Sequence, residues 1–68
     1  MKTKQEVLDY VKSRKEFYEK EINWCDGKLT NPYINYNDWK VYDWLKSGYE
    51  SRLEVINDLL HFIYEKED

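Results

Sequence analysis

The sequence predicts an all-α fold, a helical hairpin that dimerises into a four-helix arrangement, and three observations lead to it. Apolar residues recur at alternating three- and four-residue spacing over two long segments, the period of an amphipathic helix. Asn31-Pro32 lies between the segments, and the residue before a proline is pushed out of the helical region. The second segment carries more apolar residues than one neighbouring helix can bury, which leaves a surplus for a partner.

The first helix is expected at about residues 4–25. Thr3 followed by Glu6 forms a capping box at its start, each side chain meeting an otherwise unpaired backbone N–H. Leu8, Val11, Lys15, Tyr18, Ile22 and Cys25 make the apolar stripe, widened by Val7, Phe17 and Trp24. The stem of Lys15 can cover apolar surface while its ammonium reaches water, and Glu16 with Lys20 makes an i,i+4 pair on the far side. Asp26-Gly27 is expected to stop the helix, with Gly27 in the left-handed position. A loop over 26–37 follows, in which Tyr33, Ile34 and Tyr36 are expected to fold back onto the helices. Asn35, Asn37 and Asp38 are each able to cap what comes next.

The second helix is expected over about 38–65, with Tyr42, Leu45, Tyr49, Arg52/Leu53, Ile56, Leu59/Leu60 and Ile63 in phase. Gly48 interrupts its composition and not its period, which favours a close approach of another segment. A bend there, giving a three-helix monomer, is the competing architecture. The acids of Glu65-Lys66-Glu67-Asp68 sit at the negative end of the helix dipole and favour fraying.

Residues 1–68 make a single hairpin domain. Below about 70–80 residues one core rarely supplies more than roughly 3–5 kcal/mol. Cys25 and His61 are each the only residue of their kind, so neither an internal disulfide nor a Cys/His metal cluster is available. A homodimer or a protein partner is the expected reinforcement. The net charge of −3 argues against general affinity for nucleic acid. No apolar run approaches the roughly 20 residues that span a bilayer, and no signal-peptide core follows the N-terminal lysines. A lone cysteine then suits a reducing, cytoplasmic setting.

The chemistry of an enzyme is not expected, nor is a cofactor. His61 has Asp58 and Glu65 within helical reach, which describes a surface histidine among acids. Cys25 ends a helix, where the dipole opposes a thiolate. The feature that points to function is aromatic: residues 24–49 hold seven Tyr and Trp side chains, types favoured where protein surfaces meet. Part of that cluster (Trp39, Tyr42, Tyr49) falls on the helix 2 seam. Tyr33, Tyr36, Trp39, Lys40, Asp43 and Trp44 are the expected partner-binding residues, with Trp44 off the seam and most available. Glu50, Glu54 and Asp58, with Asp43, form an acidic face suited to a basic cleft. Base stacking beside Lys28, Lys40 and Lys46 is disfavoured by Asp26, Asp38 and Asp43.

One fragment carries a family resemblance. Asn31-Pro32-Tyr33 and, further on, Leu45-Lys46-Ser47-Gly48-Tyr49 resemble the small bacterial and phage proteins related to ribosome modulation factor. The resemblance spans residues 31–49 and implies a helix–loop–helix fold with Tyr33, Gly48 and Tyr49 packing loop against helix, and binding to the ribosome through rRNA. Leu45 stands where that pattern has tryptophan, and this chain is acidic where those proteins are basic. Three functional expectations follow: a non-enzymatic protein-binding module, such as a phage or mobile-element inhibitor or adaptor; a ribosome-associated factor; and a purely structural homodimer.

Overall fold

The computed structural model describes residues 3–65, so the terminal run 66–68 that was expected to fray lies outside the described residues. The chain is two antiparallel helices, α1 (Lys4–Leu29) and α2 (Tyr36–Glu65), joined by a six-residue loop. The all-α hairpin is as the sequence predicts. Its loop is half the expected length, because both helices run further toward the turn.

Helix α1 begins where the capping motif places it, with the Glu6 amide donating to Thr3 Oγ1 at 3.1 Å. Gly27 does not stop the helix: it stays helical, and no described residue has positive φ. The period explains why, since Leu29 continues the stripe four residues after Cys25 and is half-buried. Thr30 closes α1 instead. Its backbone N–H and its hydroxyl both donate to the Asp26 carbonyl at 3.0 Å, satisfying acceptors that a helix end leaves open. Lys28 in the last turn suits the negative pole. Beyond it, Asn31 Oδ1 accepts from the Tyr33 amide at 2.9 Å, an Asx turn just where Pro32 forbids more helix.

Asn35 is the cap of α2, and Asn37 and Asp38 are already helical. Asn35 Oδ1 accepts from the Asp38 amide at 2.9 Å, and its Nδ2 donates to Asp38 Oδ2 at 3.1 Å. This reciprocal arrangement pairs cap and third helical residue as a capping box does. Helix α2 then runs unbroken through Gly48, so the three-helix alternative is not formed. The expected close approach at Gly48 is absent too, since a Cβ there would meet nothing within 4 Å.

Leu8, Val11 and Leu60 form the buried cluster, with Ile56 and Ile63 packed against it. Toward the loop the seam becomes aromatic: Tyr18 faces Tyr49 at 6.1 Å between ring centroids, and Trp24 meets Tyr42 edge-on at 5.3 Å. At each ambiguous pair of α2 one residue turns inward, Leu53 and Leu60, and its neighbour, Arg52 or Leu59, stays exposed. Of the loop residues only Ile34 is half-buried; Tyr33 is 92% exposed and Tyr36 also faces water. Neither ring folds back: Tyr33 lies in a connection of only six residues, and Tyr36 already belongs to the first turn of α2. On α1, Lys15 pairs with Glu19 four residues on, at 4.0 Å.

Two substitutions test these helix ends. Gly27→Ala meets open space in a helical position and is expected to raise stability by about 0.5–1 kcal/mol, read by urea unfolding. Asn35→Ala removes the α2 cap and is expected to cost about 1 kcal/mol.

Candidate interaction surface

The two sides of the hairpin differ in chemistry. On one side charged groups join the helices. Lys46 Nζ on α2 lies 2.5 Å from Asp26 Oδ1 on α1 and 3.9 Å from Glu50 Oε1. Lys12 Nζ sits 5.8 Å from the centre of the Tyr64 ring on the same side. The hydrogen bond to Asp26 raises the Lys46 pKa above the ordinary lysine value, with smaller help from the charges of Asp26, Glu50 and Asp43.

The opposite side is apolar. On α1 it carries Val7, Tyr10, Phe17 and Trp24, and on α2 Val41, Val55, Leu59 and Phe62, all exposed. Shallow hollows across this side mark the two helices as neighbours: Val7 and Phe62 line one, Tyr18 with Arg52 and Val55 another. On α2 the residues Val41, Leu45, Gly48, Arg52, Val55, Leu59 and Phe62 repeat at four- and three-residue intervals. That is a second heptad stripe beside the one that packs on α1. On α1, Tyr10, Phe17 and Trp24 stand seven residues apart, with Val7, Arg14 and Glu21 completing a similar stripe. Val55 is 66% exposed and Tyr10 65%. Arg14 lies along this side, its guanidinium donating to Tyr18 Oη at 3.1 Å and resting 4.9 Å from the Phe17 ring centre.

The sequence-selected residues divide between regions. Tyr33, Tyr36 and Lys40 gather near the turn, Lys40 Nζ lying 5.3 Å from the Tyr36 ring centre. Trp44 is 74% exposed and borders a hollow with Leu45, Gly48, Tyr49 and Arg52, at the edge of the apolar side. Trp39 is exposed as well, though less so. Asp43 and Glu50 flank Lys46, whereas Glu54 and Asp58 are exposed further along α2. The stripe of α1 was only partly visible in sequence, where Val7, Phe17 and Trp24 read as a widening of the seam and Tyr10 passed unnoticed. Its seven-residue spacing was the available signal.

Cys25 is fully buried, and burial pushes its thiol pKa up, with the carboxylates of Glu21 and Asp26 adding to the rise. It lies in the turn-proximal end of α1, whereas His61 is in the last turns of α2 at the other end, its Nε2 2.9 Å from Glu65 Oε1. Among the described residues no group of three His, Cys, Asp or Glu is placed to hold a metal ion. No helix of the described residues is long and apolar enough to cross a membrane. Lys28 rests over the Trp24 ring, Lys40 over Tyr36 and Lys46 against Asp26, so the three lysines do not line up as a phosphate track. The loop-against-helix packing implied by the family resemblance is not formed: Tyr33 faces water, Gly48 is open and Tyr49 stacks on Tyr18. Comparison with protein-family models, curated proteins and solved structures returns no match.

Two measurements separate seam from surface. Leu60→Ala is expected to cost about 2–5 kcal/mol, and Trp44→Ala less than about 0.5 kcal/mol, in parallel unfolding curves. Alkaline pH supplies the other. A raised Cys25 pKa means the unfolded chain ionises first, and a raised Lys46 pKa means the folded chain holds its proton longer. Both make stability fall with rising pH, the Cys25 contribution from about 9 and the Lys46 contribution only above about 10.5. Native Cys25 is accordingly expected to react with a thiol reagent only as fast as the hairpin opens, and Cys25→Ala to flatten the early part of the alkaline loss.

Proposed function

We propose that this chain is a non-enzymatic protein-interaction module that works through the apolar side of the hairpin, as a small inhibitor or adaptor does. The observation that carries the reading is the pair of exposed heptad stripes on one side, set against ion-paired chemistry on the other. Heptad stripes are the pattern by which helices recognise helices. A cluster of exposed large apolar residues on one side is the kind of surface that marks an interaction site. Trp44 borders the same surface, Tyr33, Tyr36, Trp39 and Lys40 lie nearer the turn, and Asp43 stands beside Lys46 on the charged side. A four-helix arrangement is the simplest assembly that covers both stripes at once. The acidic residues Glu50, Glu54 and Asp58 lie outside it and are solvated groups that bias the partner's charge.

Photo-crosslinking in cells tests this directly. A benzophenone side chain introduced at Val55, on the apolar side, is expected to form discrete protein adducts. The same group at Glu16, on the charged side, is expected to form few. Equal yields from the two positions, or none from Val55, would overturn the reading.

A further inference from the structure

Building on the apolar side as an interaction surface, the geometry points to a second copy of this chain as its occupant, stacked face to face about a twofold axis beside Phe17 and Arg52. Area is the first argument. The chain exposes 5608 Å², whereas a folded protein of 8.5 kDa is expected to expose about 4,700 Å². The excess, roughly 900 Å², matches the area of about 800 Å² that each partner loses in a standard interface.

Dimensions are the second. The α2 stripe from Val41 to Phe62 is about 32 Å long at 1.5 Å per residue, and α1 carries its own stripe alongside. A cover must be two helices wide and equally long, which the apolar side of another hairpin supplies.

The third argument is self-complementarity. Tyr18, Ser51 and Arg52 line one hollow, so these levels of α1 and α2 coincide. An axis across the hairpin at that level, lying in the interface, passes near the middle of both helices, and the two copies overlap along their whole length. On α1 it sets Arg14 against Glu21 of the second copy, twice. On α2 it sets Gly48, where an added Cβ would meet nothing, opposite the exposed Val55 of the second copy. A gap meets a protrusion, and opposite charges meet. One contact is unfavourable: Arg52, beside the axis, meets Arg52 of the second copy.

That contact and the charge pair make the test specific. Light scattering of the purified full chain, diluted from millimolar to micromolar, is expected to show a species of twice the chain mass. Glu21→Arg places like charges together at two points and is expected to weaken the dimer about tenfold or more. Adding Arg14→Glu to it is expected to restore the affinity to within about threefold of wild type, because the pair is then merely exchanged. Arg52→Leu is expected to tighten the dimer about tenfold. Circular dichroism of each variant at matched concentration checks that the helices persist. A single-chain mass at every concentration, or a dimer indifferent to both Glu21→Arg and Arg52→Leu, would overturn the proposal. A monomer that still crosslinks through Val55 to another protein would leave the interaction surface standing and remove only this occupant.

Discussion

A hairpin one layer thick gives each helix a single neighbour, and every other feature of the chain follows from that limit. Its extents are 49 × 18 × 16 Å and its radius of gyration 15.6 Å, against about 11 Å for a compact chain of this length. Only Leu8, Val11, Tyr18, Cys25 and Leu60 are buried among the described residues. Groups such as Ile56 and Ile63 are half-covered by the seam, whereas Tyr10, Val55 and Phe62 stay exposed. Surface that would be interior in a thicker fold is left exposed.

Within that limit the seam is graded. At the open end aliphatic side chains pack densely around Leu8, Val11 and Leu60. Near the turn, rings replace them, and Lys46 enters the seam on the charged side to reach Asp26. Rings at 5–6 Å fill more space per residue than leucine does, which suits helices carrying few small residues. The turn is held by local hydrogen bonds of Thr30, Asn31 and Asn35, so the antiparallel register does not rest on the seam alone. A short, hydrogen-bonded connection of this kind limits which residues stand level with one another. Level positions are what allow the stripes of α1 and α2 to act as one surface.

The hairpin itself was legible in the sequence because heptad spacing survives local irregularities. Thr3 with Glu6 and the break at Asn31-Pro32 were equally plain. The length of α1 was misread at Asp26-Gly27, where turn chemistry competed with periodicity and periodicity prevailed through Leu29. Arg52 against Leu53, and Leu59 against Leu60, were undecidable from one helix, since the inward residue depends on where the neighbouring helix axis lies. The exposed aromatics near the turn were identified for their residue type. The broader apolar side was not, because it emerges only when the two stripes are placed on the same side of an antiparallel pair.

If a second hairpin lies flat against the apolar side, mass and shape change together, and small-angle X-ray scattering reads both. Layers of helices stack about 8–10 Å apart, so doubling the mass in this way leaves the radius of gyration at about 16–17 Å, scarcely above the 15.6 Å of one chain. Twice the mass with that radius is the predicted result. A single-chain mass, or a doubled mass with a radius well beyond 20 Å from end-to-end association, would contradict it.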